Sequence, residues 1–194
     1  MEKLDIANSV IAVERLLGRN DITPLQRQIL LNYRRHSRAE ISGNWPIIFE
    51  PGMIVEEPHY ILKVKGKMSE VKGLQAVKDF YAGIGSPVLV HKDQEIHLAE
   101  SSFTSFSWLH HYLTGQQLIE IGEEVANPDG FYVRKYRTMT LWKFDERGRL
   151  IGEYGGELGL RENIEVSEEN FITPEDARRV LEPLIEPLPE FTPE

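Results

Sequence analysis

Apolar positions recur at helical spacing over residues 4–17, where Leu4, Ala7, Val10, Ile11 and Leu17 form one stripe and Gly18 marks a stop. A second helix is signalled by Asp21-Ile22-Thr23-Pro24, with Thr23 placed to cap it and Pro24 at its first position. It runs through Leu25, Ile29, Leu30, Tyr33 and Ile41 to Ser42-Gly43, and Pro46 prevents its continuation. Ile47-Ile48-Phe49 then leads through a Pro51-Gly52 turn into a short strand, Met53-Ile54-Val55, stopped by Pro58. Residues 63–72 read as a charged connection. Residues 73–81 read as a third helix, with Leu74, Val77 and Tyr81 on one stripe and Gly83 and Gly85 closing it.

The period then changes to two. Residues 88–99 and 102–113 alternate as long strands, with a turn at Thr114-Gly115. After the Asn127-Pro128-Asp129-Gly130 turn, residues 132–144 and 149–157 predict a hairpin around Asp145-Glu146-Arg147-Gly148. Residues 159–194 hold one short helix, from Thr173-Pro174-Glu175 to Leu181, and then become Pro-rich and acidic, as a docked arm or a loose tail would be. Helices followed by antiparallel strands predict an α+β fold, with the helices on one face of a curved sheet and a pocket on its concave side. The expected organisation is an N-terminal helix (1–19), a main domain (20–158) and a C-terminal extension (159–194).

Composition narrows the partners. A formal net charge of -9 argues against non-specific nucleic-acid binding and against anionic membrane surfaces. The chain has no cysteine, which removes disulfides and thiolate chemistry. The acidic start, Met1-Glu2-Lys3-Leu4-Asp5, lacks a signal-peptide core, so the expected location is the cytoplasm. No metal is expected. His110 and His111 point to opposite sides of a strand, and His91 and His97 lie roughly 20 Å apart along one.

The candidate chemistry centres on Val55-Glu56-Glu57-Pro58, with Tyr33 before it and Phe80-Tyr81-Ala82 after it. A carboxyl group buried in an apolar pocket is driven toward a neutral-range pKa, which suits Glu57 to acid/base work. The alternative is a pair of exposed glutamates at a strand end. On the last strand Glu153 and Glu157 share a face, and Gly155-Gly156 between them can carry a bulge that re-aims Glu157. In the strand 104–112, Phe106, Trp108, His110 and Tyr112 share one face, while Ser105, Ser107, Leu109 and His111 share the other. Either face can line the pocket and so bring one histidine into the site.

In these segments, and in the final hairpin Trp142 to Leu150, the chain resembles the NTF2-like superfamily, specifically its SnoaL-like and ketosteroid-isomerase-like branch. The resemblance spans roughly residues 20–158. It implies a cone-shaped, cystatin-like α+β fold, and places Glu57 where the steroid-isomerase branch has its proton-shuttling aspartate. Tyr33 falls where that branch has its oxyanion-stabilising tyrosine, and Tyr81 where it has a supporting one. The second oxyanion donor, an aspartate in that branch, reads here as Thr140, which cannot act as a protonated carboxylic acid. Ketosteroid isomerisation itself is therefore not expected. Glu157 is the nearest counterpart of the acid/base carboxylate of SnoaL-like cyclases. Pairing into a homodimer through the open sheet face is also implied.

The combined expectation is a cofactor-independent enzyme moving protons on a small, largely apolar organic molecule, by isomerisation, cyclisation, or elimination and hydration. Glu57, Tyr33, Glu157, Glu153, His110 and His111 are its candidate catalytic groups. Tyr81, Trp108, Tyr112, Thr140, Trp142 and His59 are its candidate pocket residues. The competing expectation is a ligand-binding or scaffolding domain that uses the same cavity without turnover.

Overall fold

The computed structural model describes residues 2–64, 67–85 and 87–193. Its longest helix, α2 (Pro24–Ile41), opens on a capping box: Thr23 accepts from the Gln26 amide at 3.1 Å, and the Gln26 side chain accepts from the Thr23 amide at 2.9 Å. Such a cap stabilises a helix by about 1 kcal/mol. The helix expected over 4–17 is instead two pieces, a 3₁₀ turn at Ile6–Val10 and α1 (Ile11–Leu17). Asn8-Ser9-Val10 are weak helix formers, and Asp5 caps the tight turn by accepting from the Ala7 amide at 3.0 Å.

The strand expected at Met53–Val55 is reduced to a single bridge between Ile54 and Leu150. The first true strand, β1 (His59–Val64), starts after Pro58, and the expected connection forms β2 (Lys67–Lys72). These two pair antiparallel from His59–Lys72 to Val64–Lys67. Exposure of β2 on both faces explains why no apolar period marked it. Then follow α3 (Leu74–Ile84), β3 (Val88–Leu98), β4 (Ser102–Thr114), β5 (Phe131–Phe144) and β6 (Leu150–Val166). The turn expected at Thr114-Gly115 begins a short helix, α4 (Gly115–Glu120), with its own capping box between Thr114 and Gln117.

The six strands form one curved, unclosed sheet in the order β2-β1-β6-β5-β4-β3, parallel only between β1 and β6. Two glycines permit the close approach of β6 to its neighbours. A Cβ on Gly152 would lie 1.9 Å from the His59 carbonyl oxygen, and one on Gly155 would lie 2.1 Å from that of Met139. β6 passes through the expected domain boundary at 158 and pairs with β5 as far as Phe131–Val166.

Beyond it, α5 (Pro174–Leu181) buries Ala177 and Leu181 against Ile41 and Val133. The Pro-rich segment that follows is a docked arm. Three side chains of α2 hold its backbone: Arg38 donates to the Leu184 carbonyl at 2.8 Å, Arg35 to that of Glu186 at 2.7 Å, and Gln28 to that of Pro189 at 3.1 Å.

The core has two main centres. In one, Tyr33 meets Phe103 and Trp142 edge-on, with ring centroids 4.8 Å apart in both cases. In the other, Ile41, Val88, Tyr112, Phe171 and Leu181 pack together. The concave face also borders a cavity of about 710 Å³.

Candidate active site

Strand register decides which residues face the cavity. Side chains alternate along β4, and its odd-numbered positions pair into rows across the concave face. One row is Leu89, His111 and Arg134; another is Ser107, Thr138 and Glu157. His111, Arg134, Tyr136, Thr138 and Glu157 line the cavity from the sheet, and Glu40 lines it from the last turn of α2. Leu62, Ile84 and Leu89 supply apolar wall. The irregularities of the β5–β6 pairing lie after Leu158, where β6 bulges opposite Tyr136, and between Leu150 and Gly152, not at Gly155-Gly156. Glu157 therefore keeps its register opposite Thr138.

Burial sets the charge states on this wall. It pushes the Tyr136 phenol well above its ordinary value, reinforced by the neighbouring Glu157 carboxylate. His111 is driven down to about 4, chiefly by burial and then by Arg134. At neutral pH the wall thus presents a neutral imidazole and a protonated phenol. Among the described residues neither has a hydrogen-bond partner, and both can serve a bound molecule.

Thr138 belongs to a short polar chain. Its hydroxyl lies 3.2 Å from Ser107, whose hydroxyl lies 2.8 Å from Nδ1 of His91. Burial brings His91 down to about 4 as well. Glu157 is held at 3.0 Å by Arg161 and at 3.7 Å by Arg134, and both arginines also reach Glu123, at 2.7 and 3.2 Å. Arg134 is 4% exposed, and its Nε has no partner among the described residues.

Beneath the cavity lies a second polar cluster. The Tyr81 hydroxyl donates to Glu153 at 3.0 Å and lies 2.9 Å from Nε2 of His36. That nitrogen is 3.6 Å from carboxylate oxygens of both Glu153 and Glu40. Burial raises Glu153 to about 7; His36 and the hydrogen bond from Tyr81 oppose the rise, while Glu40 adds to it. The Tyr60 hydroxyl is buried in the same field, where burial and Glu153 hold it protonated.

The candidate residues scatter across these environments. Glu57 is exposed, with its carboxylate beside Gly73, because it precedes β1 in a bend where no strand pleat turns it inward. It is not a cavity base. Its neighbour Glu56 pairs on the surface with Arg149 at 2.7 Å. Tyr33 is buried in the aromatic core, where its hydroxyl accepts from Gln94 at 3.0 Å, so it does not face the cavity. Glu157 and His111 line the cavity, and Glu153 and Tyr81 lie beneath it.

His110 takes the even-numbered, outer side of β4 beside Lys92 and Lys135. Trp108 is on that side too, under Lys135 and Arg137, which sit 4.5 and 4.4 Å from its ring centre. His59 is on the outer face, bonded to Glu70 at 2.9 Å. Trp142 is a core residue that donates to Ser105 at 3.1 Å, and Thr140 stands between Ser105 and Gly155, off the cavity wall. Tyr112 reaches the cavity edge, its ring against Phe171.

Sequence reading missed His36, Glu40, Arg134, Tyr136, Thr138 and His91. A signal existed for His36 and Glu40, since a spacing of four places two titratable groups on one helix face. It was hidden in the polar run from Arg34 to Glu40, which reads as solvated surface but is largely buried. Arg134 and Tyr136 could be found only by pairing β5 with β4.

Among the described residues no group of three or more His, Asp or Glu side chains converges as a metal-ligand set, and no helix is long and apolar enough to cross a membrane. No family model matches the chain, and no curated protein is similar to it in sequence. Solved structures are similar in fold. A provisionally assigned SnoaL-like polyketide cyclase from Jannaschia sp. CCS1 superposes with a TM-score of 0.53 at 14% identity, covering 72% of this chain and 91% of its own. Another from Shewanella putrefaciens CN-32 gives a TM-score of 0.54 at 12% identity, covering 81% and 91%. The chain therefore has the NTF2-like fold, in the form seen in SnoaL-like proteins.

Proposed function

We propose that this protein is a cofactor-independent acid/base enzyme acting on a small organic molecule with a largely apolar body and a carbonyl group. The reading rests chiefly on one observation: His111 and the protonated Tyr136, diagonal neighbours on adjacent strands, face the same cavity without hydrogen-bond partners. A cavity of about 710 Å³ with apolar walls and a few polar groups suits a molecule of roughly two or three fused rings.

In this reading Tyr136 donates to the carbonyl oxygen and stabilises the negative charge that develops when a proton leaves the adjacent carbon. Glu40 and Glu157, two of the carboxylates that line the cavity, carry protons, with neutral His111 as their hydrogen-bonding partner. Glu40 thus takes the role first expected of Glu57. Enolisation of this kind underlies isomerisation, cyclisation and elimination alike. The designation of the two fold relatives as SnoaL-like polyketide cyclases supports cyclisation among them.

A small apolar ketone such as 2-tetralone tests the proposal in D₂O. NMR should show exchange of its α-protons above the buffer rate, falling about 100-fold in Tyr136→Phe. A ketone that binds but does not exchange leaves the second reading, a ligand-binding or scaffolding domain. That reading draws support from Met139, Leu141 and Leu158, which stand exposed together on the outer face of β5 and β6. We place the contact with a second copy of the chain on this face.

A further inference from the structure

We infer that Glu40 and Glu153 form one proton-sharing unit around Nε2 of His36, in which Glu40 exchanges protons with the molecule in the cavity and Glu153 stores a proton beneath the wall. The inference builds on the acid/base reading of the cavity and adds a positioning role for Glu153, which does not line it.

The geometry converges on one atom. Nε2 of His36 is 3.6 Å from Glu40 and from Glu153, and 2.9 Å from the Tyr81 hydroxyl that bridges to Glu153. The three titratable side chains differ in exposure as the roles require: Glu40 is 22% exposed, Glu153 10% and His36 1%. One buried nitrogen facing two carboxylates and a phenol cannot satisfy all of them with a single proton. The protonation states of the two carboxylates are therefore linked.

The phenols and the imidazole that surround Glu40 and Glu153 are fixed as neutral, whereas the ionisable side chains of Lys63, Glu120, Arg134 and Glu157 line the same cavity as Glu40. Tyr33 on α2, Tyr60 on β1, Tyr81 on α3 and Tyr136 on β5 are kept protonated by burial. His91 on β3 is kept unprotonated by burial despite the pull of Glu40. Within the cluster on Nε2 of His36, charge exchange runs between Glu40, His36 and Glu153.

The transfer balances with one proton. With His36 neutral and carrying its hydrogen on Nδ1, the Glu40 O–H bond breaks and an Nε2–H bond forms. That hydrogen then passes to the Tyr81 oxygen as the Tyr81 proton passes to Glu153. Negative charge moves from Glu153 to Glu40, which is again a base toward the cavity, and no other bond changes.

Carbon-detected NMR of side-chain carboxyl groups in ¹³C-Glu-labelled protein tests the linkage without any substrate. In the wild type the Glu40 resonance should move a second time at the pH where Glu153 titrates. Glu153→Gln should abolish that second movement, and Glu153→Asp should restore it. Should Glu153→Gln fail to fold, Glu40→Gln gives the reciprocal measurement, because coupling acts equally in both directions. Glu153 should then titrate about one pH unit lower. A Glu40 titration unaltered by Glu153→Gln, or a Glu153 titration unaltered by Glu40→Gln, overturns the proposal. Linked carboxylates in a protein that exchanges no ketone protons would defeat the enzymatic reading and leave the linkage standing.

Discussion

The hydroxyl of Tyr81 donates to Glu153 at 3.0 Å in a site with almost no access to water. A hydrogen bond from a phenol favours the carboxylate, yet burial outweighs it and raises Glu153 to about 7. The folded state therefore binds a proton that the unfolded chain releases near 4.5. Stability associated with Glu153 is present below the unfolded value and is lost as pH rises through about 7. Replacing Glu153 by Gln keeps an acceptor for Tyr81 and removes the titration. We predict that Glu153→Gln matches the wild type near pH 4.5 and gains up to about 3 kcal/mol over it by pH 8. Urea denaturation across that range checks this; parallel pH curves for the two proteins would refute it.

Two histidines work in the opposite sense. His91 and His111 are depressed to about 4, so the unfolded chain binds protons first as pH falls. Their contribution is complete above about 6.5 and disappears as pH falls through about 4. NMR titration should leave both rings neutral at pH 5.5. An ordinary midpoint near 6.5 for His111 would mean that its ring is solvated and not part of a desolvated wall.

The C-terminal arm is held by side chain to backbone bonds from Gln28, Arg35 and Arg38. Removing residues 182–194 strips Arg35 and Arg38 of acceptors they now hold while largely buried. Hydrogen bonds from charged donors are worth about 1.5–3 kcal/mol each, partly recovered as the guanidinium groups rehydrate. The truncated chain should fold but lose about 2–4 kcal/mol in thermal or urea denaturation. An unchanged midpoint would mark the arm as an appendage.

Met139 and Leu141 face outward from β5, 46% and 36% exposed, with Leu158 of β6 beside them. If this face meets a second copy, a charge there opposes association while the concave side is untouched. Sedimentation velocity should show a dimer for the wild type and a monomer for the double variant Met139→Glu, Leu141→Glu. A monomeric wild type would remove the proposed contact.

Much of the scaffold was legible because its signals are local. Thr23-Pro24 reports the capped start of α2, and the period-two stretches report β3, β4 and β5. β2 read as a charged connection because it is exposed on both faces but for the half-buried Val71, and most of its partner β1 went unassigned. The concave position of Glu157 was legible from alternation on the last hairpin. Glu57 misled because a proline after a carboxylate looks the same whether it ends a strand or precedes one. Glu40 and His36 were obscured because the groups packed around His36, Tyr81 of α3 with Trp142 and Glu153 of the sheet, leave no mark within α2. Tyr136 needed the pairing of β4 with β5, a relation between residues 27 positions apart (Leu109 to Tyr136).

The position of the base is the point on which the functional reading turns, and paired variants address it directly. Exchange of 2-tetralone α-protons in D₂O should be compared for wild type, Glu40→Gln and Glu57→Gln. We predict that Glu40→Gln lowers the exchange rate about 100-fold or more, within the range of general acid/base catalysis, and that Glu57→Gln retains the wild-type rate. Full exchange by Glu40→Gln, with loss in Glu57→Gln, would contradict the assignment and return the chemistry to the surface bend before β1.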